Sequence, residues 1–279
     1  RRFAQHFLEP AWVAKVTAAV APRPTDALIE IGPGRGALTL ALAASGATMT
    51  LVELDRDLAA ELRPRLPPHA ILVEGDVLAV DLAACARDTL ARCAARFPDE
   101  PDHRPARVRV AGNLPYNIST PLIARLVALA RDSGLVSDAT LMVQREVAER
   151  LTARPGSGDY GPLSVLAQAW GEAAIVLRLP PGAFRPPPKV HSAVVRLRFG
   201  TARPCEVEVA GFERLVRAVF RRRRKVLSNA LQPLAAACGT TAAAALAASG
   251  IDGRRRPETL TIDELARLAR AVAAGGAAG

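Results

Sequence analysis

Residues 27–36 read Ala-Leu-Ile-Glu-Ile-Gly-Pro-Gly-Arg-Gly. A run that is apolar but for Glu30 enters a loop with glycine at 32, 34 and 36, and a helical pattern begins at Ala37. So uniformly apolar a strand suits a sheet buried on both faces, which is where parallel strands lie. The glycines let the backbone turn sharply and bring a ligand against the main chain. The loop is not G-x-G-x-x-G, and it lacks the Gly-Lys-Ser/Thr of a phosphate-binding P-loop. Strand, glycine turn and helix in that order predict a β-α unit.

The unit repeats. Further strands are expected at 48–53, 70–73, 108–111 and 139–143, with helices at 37–44, 56–66, 82–97 and 121–131. Repeated β-α units predict an α/β fold with an open, doubly wound, mostly parallel sheet. Apolar runs at 174–179 and 193–199 flank the proline-rich 180–188 and read as an antiparallel hairpin at the sheet edge. The stretch 98–105 is polar and proline-punctuated, which suits a surface loop. Near residue 200 the pattern changes. Phe212, Leu215, Val216, Val219 and Phe220 fall on one helical face, and 258–273 reads as another helix. The expected organisation is a Rossmann-like domain over 1–200 and a small all-helical domain over 201–279, frayed over Gly275–Gly279.

With 279 residues, 50% hydrophobic and 23% charged, the chain is globular rather than disordered or collagen-like. The net charge is +10. From Thr201 onward there are 13 Lys/Arg against 7 Asp/Glu. Such an excess suits a polyanionic partner, either nucleic acid or an anionic surface. Arg221, Arg222, Arg223, Arg224 and Lys225 form an unbroken run with no acidic residue adjoining it. Five adjacent cations repel one another, and phosphates would offset that, so the run is the candidate RNA contact.

Cys85, Cys93, Cys205 and Cys238 are scattered with no C-x-x-C pair, as in a reducing compartment. No apolar run reaches the roughly 18 residues that would suggest a bilayer span, and Gln5, His6, Glu9 and Lys15 interrupt any secretory signal. A cytoplasmic protein, a monomer with no membrane association, is expected. The chain opens on Arg1, and a piece preceding it is expected.

Candidate ligand residues sit where the strands end. Glu53 lies 21 residues after Gly32, and a carboxylate at the end of the second strand can accept both hydroxyls of a ribose. Asp76, with Val77 after it, follows the third strand, where its carboxylate can accept from an adenine amino group. Asn113-Leu-Pro-Tyr116 follows the fourth strand and should face the same crevice, since ligands bind outside the carboxyl ends of such strands. An exocyclic adenine amine is a poor nucleophile because its lone pair is delocalised into the ring. The Asn113 side-chain carbonyl and a nearby main-chain carbonyl can accept its two N–H bonds and localise the pair. Pro115 stiffens the turn, and Tyr116 can stack on a flipped-out base.

The acid-led glycine loop 30–36 resembles that of S-adenosylmethionine-dependent methyltransferases, and the whole chain resembles the bacterial small-subunit ribosomal RNA adenine dimethyltransferase (kasugamycin-resistance) family. The motifs occur in order: RFAQHFL at 2–8, EIGPG at 30–34, NLPYNISTPL at 113–122, VQREVAERL at 143–151, DYGPLSVLAQ at 159–168, FRPPPKVHSAVV at 184–195 and RRRRKVLSNAL at 221–231. The resemblance implies S-adenosylmethionine as cofactor and N6,N6-dimethylation of two adjacent adenosines near the 3′ end of small-subunit rRNA during ribosome biogenesis. It implies that His6, Leu8, Gly32, Gly34, Glu53, Asp76, Val77 and Asn113 hold the cofactor. Asn113 and Leu114 would serve the target amine, with Tyr116 and Phe184 stacking on the target adenine.

No metal and no covalent enzyme intermediate are expected. Phe3-Ala4-Gln5 and Glu9-Pro10 depart from the family pattern, and 81–107 is longer than usual. Two other readings are a macrolide-resistance-type large-subunit dimethyltransferase and a non-catalytic rRNA-binding assembly factor.

Overall fold

The computed structural model describes residues 7–98, 105–115, 117–200 and 207–277. His6, Tyr116 and Cys205 lie outside the described residues, as does most of the expected 98–105 loop. The chain divides into two compact units, one of 1–148 with Gly171–Thr201, the other of Glu149–Trp170 with 202–279.

The first unit is built on a seven-stranded sheet. β2 (Ala27–Ile31), β3 (Thr48–Glu53), β4 (Ala70–Glu74), β5 (Val108–Asn113) and β6 (Val136–Gln144) are joined in parallel, while β9 (Ser192–Phe199) pairs antiparallel with β6 and with the edge strand β7 (Gly171–Leu179). The order is β4-β3-β2-β5-β6-β9-β7. The parallel core and the antiparallel edge pair are those expected from the sequence. Strand order reverses between β2 and β5, and that switch point opens a crevice at the carboxyl ends of both.

Alternation along the strands sorts side chains between the two faces. Leu28, Met49 and Leu51 join one core cluster with Val16 and Val20 of α1 (Pro10–Val20), Leu38 and Leu42 of α2 (Ala37–Ala43) and Leu62 of α3 (Arg56–Leu62). Thr50, on the opposite parity to Leu51, instead hydrogen-bonds Thr89 of α4 (Leu82–Arg96) at 2.6 Å. α4 packs with α5 (Ser119–Ser133), which lies against β6 and β9. At the amino ends of the strands, the Arg109 guanidinium pairs with Asp26 at 2.8 Å and Asp138 at 2.9 Å. It also donates to the carbonyls of Val20 and Ala21. One arginine therefore fixes the last turn of α1 to two strand starts. Helix α1 itself is not among the helices expected from sequence. It carries buried valines at 13, 16 and 20, but no side-chain cap marks its start.

The second unit is helical and discontinuous. Residues 149–170, assigned from sequence to the first domain, cluster with the C-terminal helices. The apolar face of α8 (Val209–Arg221) supplies the reason. Phe220 meets the Tyr160 ring edge-to-face at 5.9 Å between centroids, and Phe212 meets Trp170 likewise at 5.6 Å. Four buried aromatics joined in two such pairs outweigh sequence proximity. α6 (Arg145–Thr152) straddles the division, and the Ser164 hydroxyl of α7 (Pro162–Gln168) donates to the Arg150 carbonyl.

α9 (Leu227–Ala237), α10 (Ala242–Ser249) and α11 (Ile262–Ala277) complete the second unit. The helix expected from residue 258 begins later. Thr261 and Glu264 exchange hydrogen bonds as a capping pair, and Arg255 clamps Glu264 at 2.5 Å. Among the described residues no single helix is long and apolar enough to cross a membrane.

Candidate active site

The glycine loop occupies the switch point. Gly34 and Gly36 have φ of +55° and +81°, a region costly for residues with a Cβ. At Gly36 a Cβ would also fall 2.4 Å from Leu62 Cδ1, so a side chain there would require the Leu62 side chain to shift. Above Gly34 lies Phe7, its ring within 3.8 Å of where a Cβ would stand, and the Arg35 guanidinium covers that ring at 4.6 Å. Phe7 and Leu8 form β1, paired antiparallel with β8 (Phe184–Arg185). Leu8, expected at the cofactor site, is thereby held in the same N-terminal segment. Phe7 is not among the site residues expected from sequence, because nothing in the motif shows which neighbour packs on the loop.

Glu53 ends β3 and is 7% exposed. Its Oε2 accepts from the Gly34 N–H and its Oε1 from the Asp55 N–H, both at 2.9 Å. A carboxylate oxygen has two acceptor sites, so each retains capacity for a hydroxyl. The next residue, Leu54, is 50% exposed and offers an apolar surface beside that carboxylate. Its sequence signal is a leucine just past the end of a buried strand.

Asp76 is exposed and accepts from the Leu78 N–H at 2.8 Å, and Val77 is buried. Arg125 of α5 donates to the carbonyls of Val77 and Val80, which pins this loop from behind.

Asn113 ends β5, and its main-chain oxygen lies 3.6 Å from where a Cβ on Gly32 would be. Leu114 is buried, and its N–H donates to the Met142 carbonyl at 3.0 Å. The structure thus brings Gly32, Gly34, Glu53, Asn113 and Leu114 to one strand-end crevice, with Asp76 and Val77 at the end of the neighbouring strand β4.

Phe184 is buried. Its ring is 1% exposed and belongs to the core cluster with Leu28, Val194 and Ala183. Phe184 thus sits in the core beside Leu8, and the stacking role expected from its motif rests on that motif alone. The pairing of Phe184 with Leu8 makes it a support for the N-terminal segment.

Glu30, beneath the loop, has no role in the sequence-based site. It shares the parity of Leu28 and is 1% exposed, and its Oε2 has no hydrogen-bond partner among the described residues. Burial pushes its pKa up to about 8; the Thr39 hydroxyl opposes this and the Glu53 charge adds to it. Between about pH 4.5 and 8 the folded state therefore keeps a proton that the unfolded chain has lost, and stability falls as pH rises. Glu30→Gln should remove that slope, at most roughly 1.4 kcal/mol per pH unit in this window. Urea denaturation of both proteins at several pH values checks it, and parallel pH dependences would mean that Glu30 does not titrate there.

The arginine run is less uniform than its sequence suggests. Arg221 ends α8 and Arg222 caps it. Arg223 donates to the Gly158 carbonyl at 2.9 Å and lies 3.8 Å from Glu258. The run therefore does have an acidic neighbour, brought there by the fold, and Arg223, though exposed, ties the end of α8 to residues 158 and 258. Arg224 and Lys225 are exposed. Replacing Arg221, Arg222 and Arg224 with Ala should flatten the salt dependence of RNA binding by about 0.7–0.9 in log–log slope for every phosphate no longer neutralised. Arg223→Ala should instead show mainly as lower thermal stability.

The family model for ribosomal RNA adenine dimethylase matches residues 1–273. The chain belongs to this family. Relatives of this dimethylase include "Ribosomal RNA small subunit methyltransferase A" of Pseudomonas syringae pv. syringae, 41% identical over 96% of this chain and 92% of the relative. The protein of the same name from Anaeromyxobacter dehalogenans is 42% identical over 98% and 93%. Among solved structures, a dimethyladenosine transferase from Plasmodium falciparum shares the fold, with TM-score 0.73 at 21% identity over 94% of this chain and 96% of that one. The 23S rRNA methyltransferase ErmE superposes with TM-score 0.63 at 26% identity, over 95% and 99%.

S-adenosylmethionine is the cofactor of this dimethylase, and the residues present fit it. An acidic crevice suits a ligand carrying sulfonium and ammonium groups, and the Glu53 carboxylate, fixed by two main-chain amides, suits a ribose diol. Among the described residues no cluster of His, Cys, Asp and Glu could hold a metal.

Proposed function

We propose that this dimethylase converts two adjacent adenosines near the 3′ end of small-subunit rRNA to N6,N6-dimethyladenosine, as a cytoplasmic monomer that associates with no membrane. The small-subunit substrate rests on the names of relatives that align along nearly the whole chain. The chemistry rests on one observation: the Asn113 main chain, at the end of β5, lies against Gly32 of the cofactor loop across the switch point. Free Cys85, Cys93 and Cys238 suit a reducing compartment.

In this reading Glu53, Asp76, Val77, Gly32, Gly34 and Leu8 hold the cofactor, which supplies an electrophilic methyl group. The Asn113 side-chain carbonyl and the Leu114 main-chain carbonyl accept the two N6–H bonds of the target and localise the N6 lone pair. Both acceptors are set by strand β5, so they act by positioning and polarisation rather than as a general base. Tyr116 stacks on the target base and His6 lines the cofactor, roles that rest on their motifs alone. Arg221, Arg222, Arg224 and Lys225 contact rRNA phosphates. Residues 201–279, with the rest of the second unit, form the RNA-binding domain.

The likeness to a 23S rRNA methyltransferase supports a second reading with large-subunit rRNA as substrate. Incubation with labelled S-adenosylmethionine and unmodified small subunits, large subunits or free rRNAs separates the two. Label should appear as dimethyladenosine in small-subunit rRNA, and mapping should place it at two neighbouring positions. Label confined to large-subunit rRNA, or none at all, would overturn the proposal.

A further inference from the structure

An open groove of about 760 Å³ runs along α8 within the second unit, lined by Pro162, Ala210, Ala218 and Phe220 and by Arg214, Arg217 and Arg221. The three arginines stand at i, i+3 and i+7. At 3.6 residues per turn they share one side of the helix, spaced over about 10 Å. All three are exposed. One acid, Glu213, lies on the same wall and reaches Arg217 at 3.7 Å. Among the described residues Arg214 and Arg221 have no carboxylate partner. This face is the side of α8 turned away from its buried residues Phe212, Leu215, Val216 and Val219, with buried Phe220 at its edge, and the arginines themselves are exposed rather than packed.

We infer that the groove is an RNA-backbone track, in which Arg214, Arg217 and Arg221 contact successive phosphates of an rRNA strand while the sugars lie over Pro162 and Ala218. This inference rests on the rRNA substrate proposed above and extends the binding surface beyond the 221–225 run. Three cations against one acid give the wall a net positive charge, complementary to a polyanion. Each nucleotide of a strand brings one phosphate, and a stripe of about 10 Å meets two or three successive ones. Arg221 is both the end of the stripe and the start of the run, which makes the two surfaces continuous. Arginine's fork of donors suits phosphate oxygens. The stripe leaves no periodic signal in the sequence beyond its own spacing, and it becomes visible once α8 shows which of its faces is buried.

The test uses the Arg214→Gln/Arg217→Gln double variant of the full chain, leaving the 221–225 run intact. Binding to unmodified small ribosomal subunits is measured across a salt series, with calorimetry of S-adenosylmethionine binding as the check on fold. The log–log salt slope should become shallower by about 0.7–0.9 for each phosphate left unpaired, with affinity near 0.1 M salt falling on the order of ten-fold. Cofactor affinity should match the parent. Arg214→Lys/Arg217→Lys, which keeps the charge, should retain most of the slope.

A double Gln variant with parental slope and affinity would overturn the track while leaving the rRNA substrate intact, provided the parent methylates the subunits. A parent that neither binds nor methylates them would instead overturn the substrate reading. Vesicles of phosphatidylglycerol and phosphatidylcholine provide the remaining arm. If the Gln pair abolishes vesicle binding and leaves the subunit slope unchanged, the stripe reads a lipid surface and the RNA track is wrong.

Discussion

Asn113→Ala is expected to lower the single-turnover rate of methyl transfer at least 10²-fold with cofactor saturating, the scale seen when one preorganised polar group is removed from an active site. The value of the Asn113 carbonyl grows as the target amine becomes cationic and tetrahedral, so the loss should fall on the transfer step rather than on substrate binding. The substitution leaves the strand ladder alone, because Asn113 pairs with Met142 in β5 and β6. Thermal unfolding of the variant should therefore stay close to the parent's. A near-parental rate on unmodified small subunits would sink the polarisation mechanism. Tyr116 provides a contrast in the same assay. Its replacement by Ala should cost roughly 1–3 kcal/mol by removing the stacking surface, whereas Phe should be tolerated.

Glu53→Ala is expected to weaken S-adenosylmethionine by roughly 2–4 kcal/mol, the scale for losing charge-assisted hydrogen bonds. The geometry adds a second consequence. Glu53 accepts from the N–H groups of Gly34 and Asp55, so its removal also leaves two main-chain donors without their partner and loosens the glycine loop. Glu53→Gln separates the two effects. Its carbonyl oxygen can accept from one amide while its NH₂ faces the other, so the loop is half-held and the charge is gone. Calorimetry should order the affinities parent, Gln, Ala. Unchanged affinity in the Ala variant would remove Glu53 from the site.

Much of the site is readable in the sequence because its residues sit at strand ends. Residues 27–31 and 48–53 are strands with the bounds the apolar runs suggest. Once consecutive parallel strands are recognised, the residue after each one faces the same edge of the sheet. Glu53 and Asn113 can be named on that logic, and a motif match then gives them chemistry. Phe184 cannot be judged in the same way. Its motif speaks for a base-stacking ring, but its burial in one cluster with Leu28 and Val194 depends on residues distant in sequence.

Glu30 is the converse case: as one letter inside an apolar strand it carries no sign of being a buried carboxyl with a raised pKa. Arg223 is another. Five like charges in sequence are equivalent, yet one of them meets Gly158 and Glu258, residues far off along the chain.

What the sequence by itself determined is the set of local, periodic decisions: the buried parallel strands, the glycine turn, the antiparallel edge pair and the amphipathic α8. Each follows from side-chain spacing and backbone sterics within a few residues, and those forces act before distant parts of the chain meet. The tertiary structure decided everything that depends on which distant surfaces exclude water together. It assigned 149–170 to the C-terminal helices, because Tyr160 and Trp170 find aromatic partners on α8. It buried Phe184, raised the Glu30 pKa and brought Arg223 to Gly158 and Glu258 while leaving Arg214, Arg217 and Arg221 facing solvent along a groove. Desolvation is a property of the assembled neighbourhood, and no window of sequence contains it.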